Sequence, residues 1–280
     1  MHGRELPSIR EILRDSAKRL ENVAQNPYKE ASLLLSSFLH VEPIWLISHD
    51  EDIIETPSSF LKNIQKREDY CPLEYLLNSV SFYSRDFYVD KRVLIPRPET
   101  EILVDLTISC SKELNQPIIV EVGTGSGVVS ILLALHVDNA KIIAADISND
   151  ALEVAKINAK KHGVFDKIEF RNSNILDNIK EDIDILVSNP PYIKKGEVLE
   201  KNLSYEPDIA LFGGDIGDEI LKHLIDETIS RDIKTLACEM GYDQREKVEK
   251  SLKKYSIEAE FYKDLAGFDR GFVVKNRNAK

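Results

Sequence analysis

The chain has 280 residues, of which 42% are hydrophobic and 30% charged, a composition typical of a folded globular protein rather than a disordered one. Its formal net charge of −11 disfavours a protein that neutralises nucleic-acid phosphates, so no direct nucleic-acid partner is expected. No apolar run approaches the roughly 20 residues of a membrane helix, and Met1 to Leu20 lacks the apolar stretch of a secretory signal, so no membrane association is expected.

Residues 1–80 have the pattern of short amphipathic helices. After the start signal Leu6-Pro7-Ser8, apolar residues recur at helical spacing, and Pro27 and Pro43 open two further stretches. Helices this short bury their apolar faces only against one another. We therefore expect a small helical bundle with no catalytic residues of its own.

Residues 81–96 have the composition of a β-hairpin. Aromatic and β-branched residues are interrupted by the charged breaks Arg85-Asp86 and Asp90-Lys91-Arg92. We interpret this stretch as a hairpin linker between the bundle and the rest of the chain.

Residues 97–280 alternate between strands and helices, and the strands are continuous apolar runs. Such runs indicate a sheet that is covered on both faces. The prediction is an α/β domain with a doubly wound, Rossmann-like sheet and an antiparallel hairpin near its end. The predicted strands are 118–122, 141–145, 167–170, 183–187, 235–238, 257–262 and 271–275, and the predicted helices are 102–110, 128–136, 150–162 and 218–229.

A glycine-rich segment, Glu121-Val-Gly-Thr-Gly-Ser-Gly127, lies where the first of these strands turns into a helix. Glycines allow a tight turn and a close approach to a ligand, and the first N–H groups of the helix point into the same space. Asp146 ends the next strand about twenty residues on, where a carboxylate can accept both hydroxyls of a ribose. The alternative is that Asp146 caps the following helix. The loop residues assigned to the ligand are Gly123, Thr124, Gly125, Ser126 and Gly127.

The spacing G-x-G-x-G is shorter than the dinucleotide fingerprint G-x-G-x-x-G and suits a pyrophosphate less well. A ligand with an adenosine head and no phosphate fits an acidic strand end and an acidic residue, Glu121, before the loop. The sequence therefore predicts S-adenosylmethionine as the cofactor. The three cysteines and six histidines form no C-x-x-C or H-x-x-x-H pair, so no metal site is expected.

The segment Ser188-Asn-Pro-Pro-Tyr-Ile193 directly follows an apolar strand, at the edge of the sheet where ligands bind. Pro190 and Pro191 fix the backbone and remove two N–H donors. The side-chain oxygen of Asn189 and the carbonyl oxygen of Pro190 can accept both N–H bonds of a planar NH2 group, and Tyr192 can lie flat against it.

Such an arrangement suits methylation of an amide nitrogen. Two acceptors place negative potential beside a nitrogen that becomes positive as it attacks, and they aim it at a methyl carbon. We assign catalysis to Asn189, Pro190 and Tyr192, and substrate binding to these residues together with Pro191. The alternative is a rigid proline turn capped by Asn189.

Several motifs together resemble the peptide chain release factor glutamine methyltransferases of the HemK/PrmC type. They are Val93-Leu-Ile-Pro-Arg-Pro-Glu-Thr-Glu101, the glycine loop, Ala145-Asp-Ile-Ser148, the Asn-Pro-Pro-Tyr segment, Tyr205-Glu-Pro-Asp-Ile-Ala-Leu-Phe-Gly-Gly214, Glu239-Met-Gly-Tyr-Asp-Gln244 and Asp264-Leu-Ala-Gly-Phe-Asp-Arg270. Cys71, Asn78 and Asp218 depart from the family pattern at positions away from the expected chemistry.

The resemblance implies a helical substrate-recognition domain at 1–80, a hairpin linker at 81–96 and a methyltransferase domain at 97–280. It implies N5-methylation of the glutamine in the Gly-Gly-Gln motif of release factors, with Asn189 touching both substrate and cofactor and Asn174 flanking the adenine. The helical domain would bind the body of the release factor.

The roles of Arg97, Glu99 and Glu101 stay open between lining the cofactor mouth or gripping substrate and capping a helix or pairing at the surface. The nearest alternative activity is DNA adenine-N6 methylation, because a nucleobase NH2 group is also planar. A nucleotide-dependent dehydrogenase would need a longer glycine spacing, and a silent binding module would not need Asn189 and Tyr192. The expected setting is the cytoplasm, because the cysteines suggest no disulfide framework, and a monomer suffices for the mechanism.

Overall fold

The computed structural model describes residues 6–276, in a chain that divides into two compact units. Unit 1 is Met1–Ser79 with Glu200–Tyr205, and unit 2 is Val80–Leu199 with Glu206–Lys280. Residues 1–5 and 277–280, the outer ends of the predicted ranges 1–80 and 97–280, lie outside the described residues.

Unit 1 is built from short helices around a common apolar core. Ser8 caps the first helix, because its hydroxyl accepts the N–H of Glu11 while the Glu11 carboxylate accepts the N–H of Ser8. Leu34, Phe60 and Ile64 are fully buried where the helices meet. The helices are α1 Ile9–Leu20, α2 Pro27–Leu39, α3 Pro43–Ser48, α4 Ser58–Glu68 and α5 Leu73–Leu77.

A segment from much later in the chain, Glu200–Tyr205, completes unit 1. The hydroxyl of Tyr205 donates to the carbonyl oxygen of Asp69 at 2.7 Å, and the ammonium of Lys201 lies 4.5 Å from the ring centre of Tyr70. These contacts hold the residues that follow α4. Nothing in the local sequence of this segment predicted them.

The predicted hairpin is present but shorter than expected. Its strands are β1 Val80–Phe82 and β2 Arg85–Phe87, joined by Tyr83 and Ser84 with φ of 54° and 56°. Residues 88–96 form no strand, which corrects the prediction for this stretch. The N–H groups that a ladder would pair are taken by side chains, since Tyr88 donates to Asn158, Arg92 to Asp90 and Ile95 to Glu206.

Among the described residues, seven strands form the sheet of unit 2, in the order β5-β4-β3-β6-β7-β9-β8. All neighbouring pairs are parallel except the two that involve β9. The strands are β3 Ile118–Val122, β4 Lys141–Asp146, β5 Ile168–Asn172, β6 Ile185–Ser188, β7 Thr235–Glu239, β8 Ala259–Lys263 and β9 Asp269–Lys275. The predicted doubly wound sheet with an antiparallel hairpin is confirmed.

Helices cover both faces of the sheet. Successive residues of one strand belong to opposite apolar clusters, as Ile119 and Val120 do, which explains why the strands read as unbroken apolar runs. The helices of unit 2 are α6 Thr100–Ser111, α7 Val128–His136, α8 Asn149–Lys161, α9 Asp208–Leu211, α10 Glu219–Ser230 and α11 Arg245–Lys253. The sequence did not predict α9, which is one turn long, or α11, where Val248 and Leu252 alone are buried.

Asn158, fully buried on α8, connects the segment after the hairpin to the glycine loop. Its side-chain oxygen accepts the N–H of Tyr88 at 2.7 Å, and its NH2 group donates to the carbonyl oxygens of Tyr88 at 2.9 Å and Ser126 at 2.8 Å. Both polar groups of the side chain and three backbone groups are satisfied in this way without water. One side chain therefore fixes the backbone at Tyr88 and at Ser126 of the glycine loop.

In residues 6–276, no helix is long and apolar enough to span a bilayer.

Replacing Asn158 with Leu is expected to lower the free energy of unfolding by about 3 kcal/mol, because three hydrogen bonds are lost at about 1 kcal/mol each. Urea denaturation followed by circular dichroism measures the change. Asn149→Leu, at an exposed position on the same helix, is the matched control and should shift the value by less than about 0.5 kcal/mol. Equal effects at the two positions would contradict the role of the Asn158 side chain.

Candidate active site

The parallel register brings the predicted site together at one edge of the sheet. Val122 pairs with Ala145 on one side and with Ser188 on the other. Ser188 in turn pairs with Cys238. The next residues along the chain are Gly123, Asp146, Asn189 and Glu239, so they leave four adjacent strands at the same level. The strand order reverses between β3 and β6, which is where open α/β sheets bind their ligands.

The glycine loop has the backbone conformation that its composition predicts. Gly123, Gly125 and Gly127 have φ of 74°, 53° and 82°, in the left-handed region that side chains disfavour. At Gly127 there is also no room, since a Cβ there would lie 2.9 Å from Cβ of Ala155. Gly127 thus lets α7 pack closely on α8.

Asp146 faces the glycine loop from the end of β4. One carboxylate oxygen accepts the N–H of Gly125 and the other accepts the N–H of Ser148, both at 2.9 Å. Burial raises the pKa of Asp146, and these hydrogen bonds oppose the shift. Ser148 rather than Asp146 caps α8, because the Ser148 hydroxyl accepts the N–H of Ala151. The capping interpretation of Asp146 is therefore wrong.

Glu121 is buried beneath the loop. One of its oxygens accepts hydrogen bonds from the hydroxyl of Thr124 at 2.7 Å, the N–H of Ser130 at 3.0 Å and the hydroxyl of Ser130. Burial raises the pKa of Glu121 to about 7. The carboxylate joins the glycine loop to the first turns of α7 at a cost in desolvation.

A cavity opens beside these groups, and most of the predicted residues line it. They are Gly123, Thr124, Gly125, Ser126, Asp146, Asn174, Asn189, Pro190 and Pro191. Gly127 and Tyr192 are not on its wall. Gly127 lies below the loop against Ala155, and Tyr192 packs near Gly241, whose Cβ position would be 3.4 Å from Cδ2 of the ring. Burial, with Glu239 nearby, raises the pKa of the Tyr192 phenol.

Two residues that the sequence did not single out as site residues are linked to Asn189, one by a direct hydrogen bond and the other through the first. The NH2 group of Asn189 donates to the hydroxyl oxygen of Thr100 at 3.1 Å, and that hydroxyl donates to the carboxylate of Glu239 at 2.8 Å. Glu239 follows the predicted strand 235–238, in the position equivalent to Asp146 and Asn189. That position was the signal that could have identified it.

The structure also shows where Arg97, Glu99 and Glu101 lie. Arg97 donates to the buried carboxylate of Glu206, and Glu101 accepts the N–H of Tyr83 at 2.7 Å. Glu99 precedes α6 without capping it through its side chain. Arg97 and Glu101 therefore hold the chain segments around Thr100, and none of the three lines the cavity.

Comparison with known proteins gives the family. Residues 100–205 match the methyltransferase small domain, and residues 11–77 match the PrmC N-terminal domain. The release factor glutamine methyltransferase of Aquifex aeolicus is 34% identical over 91% of the chain and 94% of its own length, and that of Clostridium botulinum is 33% identical over 96% and 99%. The chain belongs to the release factor glutamine methyltransferase family.

Some other relatives are longer than this chain. A bifunctional methyltransferase of Rickettsia conorii is 36% identical over 94% of the chain, which spans 57% of that protein. The catalytic domain of human Mettl16, solved with an RNA hairpin, superposes with a TM-score of 0.55 at 13% identity over 78% of this chain and 80% of its own. That likeness shows the fold alone. The methyltransferase domain match confirms the predicted enzyme class and supports S-adenosylmethionine as the cofactor.

Glu121 should make the stability of the chain depend on pH. The pKa of its carboxyl is about 7 in the folded chain and near the ordinary value of 4.5 when the chain is unfolded. The folded state therefore retains a proton that the unfolded state releases between these values, so the free energy of unfolding falls as pH rises from 4.5 to 7. The expected contribution is about 3 kcal/mol.

In Glu121→Gln this fall should be smaller by about the same amount, as measured by urea denaturation at pH 5 and pH 7.5 without cofactor. Glu197→Gln, at an exposed position, should keep the wild-type dependence. If Glu121→Gln also kept it, the carboxyl would not carry a raised pKa.

Proposed function

We propose that the chain transfers a methyl group from S-adenosylmethionine to the side-chain amide nitrogen, N5, of the glutamine in the Gly-Gly-Gln motif of peptide chain release factors. One observation carries the proposal. The carbonyl oxygen of Asn189 lies 4.0 Å from the Cβ position on Gly123, so the amide-binding turn and the glycine loop border one cavity. Family membership supplies the class of substrate.

The cavity fits the cofactor. The loop at 123–126 presents backbone with no Cβ at its glycines, and each oxygen of Asp146 has a lone pair left after its one N–H bond, enough for two ribose hydroxyls. Asn174 is exposed and lines the same cavity as Asp146, and we assign it to the adenine. Gly127 contributes by positioning the loop. The bound cofactor supplies a methyl carbon made electrophilic by its sulfonium.

The protein residues then bind and orient the amide. Among residues 6–276, no group donates a hydrogen bond to the side-chain oxygen of Asn189 or to the carbonyl oxygen of Pro190. These two oxygens accept the two N–H bonds of the glutamine amide and stabilise the positive charge that develops on its nitrogen. The proton leaves after the nitrogen is alkylated, so no base is needed first. Pro191 fixes the turn, and Tyr192 belongs to the substrate side, away from the cofactor cavity.

We further infer that unit 1 binds the body of the release factor, since a single amide supplies little affinity. Its α3 exposes Ile44 and Ile47, at 71% and 69%, and exposed apolar residues in a cluster are typical of binding surfaces. The setting we infer is the cytoplasm, with free Cys71, Cys110 and Cys238, and the functional form a monomer, because one chain supplies every proposed site residue. The net charge of −11 favours a protein substrate over nucleic acid.

Mass spectrometry of a purified release factor incubated with the chain and cofactor tests the activity. A gain of one methyl group confined to the Gly-Gly-Gln peptide is expected. Asn189→Ala should lower kcat at least 100-fold, roughly the effect of removing one preorganised group at a transition state. Calorimetry should show that the variant still binds cofactor, with an affinity lowered only by the lost contact of Asn189, because Asp146 and the loop are unchanged. Duplex DNA serves as the second substrate, and methylation of adenine with none of protein would favour the alternative activity.

Unit 1 is best tested by point substitution, because deleting residues 1–79 would also remove the partners of Glu200–Tyr205. Ile44→Asp and Ile47→Asp together should raise KM for the intact release factor at least about 5-fold, by loss of apolar contact. KM for a short Gly-Gly-Gln peptide should stay unchanged. Leu61→Asp, at another exposed position of unit 1, is the control. Equal losses with both substrates would refute the role of α3.

A further inference from the structure

Three side chains from different elements are joined by two hydrogen bonds that lead from the wall of the cavity into the protein interior, with Asn189 and Thr100 on the wall and Glu239 beyond it. They are Asn189 after β6, Thr100 at the start of α6 and Glu239 at the end of β7. Thr100 and Glu239 are buried, with 3% and 2% of their surfaces exposed, so water does not compete for these hydrogen bonds. The donor–acceptor distances are 3.1 Å from Asn189 to Thr100 and 2.8 Å from Thr100 to Glu239.

The number of protons on these side chains sets the direction of the two hydrogen bonds. An ionised carboxylate only accepts, so the single proton of the Thr100 hydroxyl is donated to Glu239. The hydroxyl oxygen is then left with lone pairs alone and can only accept from Asn189. The side chain of Asn189 must therefore turn its NH2 group towards Thr100. Its oxygen points the other way.

The choice matters because the two orientations of an asparagine amide have nearly the same shape. In the reverse orientation, an NH2 group of Asn189 would face the NH2 group of the substrate, and two donors repel where an acceptor is needed. Packing alone does not distinguish oxygen from nitrogen. A polar partner of fixed direction does.

We propose that Thr100 and Glu239 are positioning residues that hold the side-chain oxygen of Asn189 towards the substrate amide. The proposal rests on the proposed function and adds two residues to its machinery. Neither touches the reacting atoms. Their action is to make the acceptor orientation of Asn189 the only one that satisfies all three side chains.

The negative charge of Glu239 sets the direction in which the two hydrogen bonds are donated. A protonated carboxyl can donate to Thr100, which can then donate to the oxygen of Asn189 and reverse the amide. Burial raises the pKa of Glu239 to about 7, and the groups that face it are Arg270, Arg97 and Glu99, with Cys238, Tyr192 and Tyr262 also near. Activity should therefore fall as pH drops below about 7, when Glu239 takes up its proton.

The first test compares Thr100→Val with two matched variants. Valine has the shape of threonine without its hydroxyl, so Asn189 loses its partner and kcat should fall at least 10-fold, about one hydrogen bond in free energy. Cofactor affinity by calorimetry should stay the same. Thr100→Ser keeps the hydroxyl and should restore most of kcat. Thr107→Val removes a buried hydroxyl from the same helix, one that donates to Leu103, and should leave kcat unchanged.

The second variant, Glu239→Gln, preserves packing should Thr100→Val fail to fold. The glutamine side chain can accept or donate a hydrogen bond, so the direction of the two hydrogen bonds is no longer enforced. We expect a lower kcat at pH 8 than in the wild type and a flatter profile between pH 6 and pH 8. Unchanged kcat and an unchanged profile would overturn the proposal.

A readout without substrate separates this inference from the proposed function. One side-chain N–H of Asn189 should exchange with solvent about tenfold more slowly in the wild type than in Thr100→Val, as measured by nuclear magnetic resonance, with the resonance assigned through Asn189→Asp. Slow exchange without methylation of any release factor would refute the proposed function and leave the orientation of Asn189 supported. Fast exchange in the wild type, or full kcat in Thr100→Val, would refute the positioning role.

Discussion

Parallel pairing in one register is the constraint on which the site depends. Val122, Ala145, Ser188 and Cys238 lie side by side across four strands, and the residues of the candidate site are the ones that follow them. A slip of one residue in any strand would turn its side chains to the other face of the sheet. Both faces are buried, so the apolar clusters on either side oppose such a slip. The core of the sheet thus determines the geometry of the cavity at its edge.

The second constraint is that polar groups at this edge lie in a largely dry environment. Glu121 and Glu239 are each nearly inaccessible, and burial raises the pKa of both to about 7. Each carboxylate is retained at that energetic cost because it orders a neighbour. Glu121 binds Thr124 and Ser130 around the glycine loop, and Glu239 binds Thr100 behind Asn189. Stability is given up for fixed orientation of the polar groups beside the cavity.

Much of the fold was predictable because its signals are local. The continuous apolar run 118–122, the glycines after it and the prolines at 190 and 191 each specify a conformation within a few residues. Failures arose where a distant partner decides the structure. Residues 88–96 carry β-forming side chains, yet Asn158 and Glu206 take their N–H groups. The packing of Glu200–Tyr205 into unit 1 is likewise a long-range effect.

The site shows the same division. The sequence predicted the part of the cavity wall formed by the glycine loop and by the strand ends at Asp146 and Asn189, since such features are recognisable along the chain. It did not predict the role of Thr100 or Glu239, because hydrogen bonds across 89 and 139 residues have no local pattern. Residues that hold other residues in place are visible only when the strands are assembled.

The central claim is that the oxygens of Asn189 and Pro190 accept both N–H bonds of a glutamine amide beside the cofactor. A crystal structure of the chain with S-adenosylhomocysteine and a Gly-Gly-Gln peptide tests it most directly. The glutamine nitrogen is expected about 3 Å from both oxygens, with the NH2 group of Asn189 still donating to the hydroxyl of Thr100. A glutamine bound elsewhere, or one whose carbonyl oxygen rather than nitrogen faces Asn189, would contradict it.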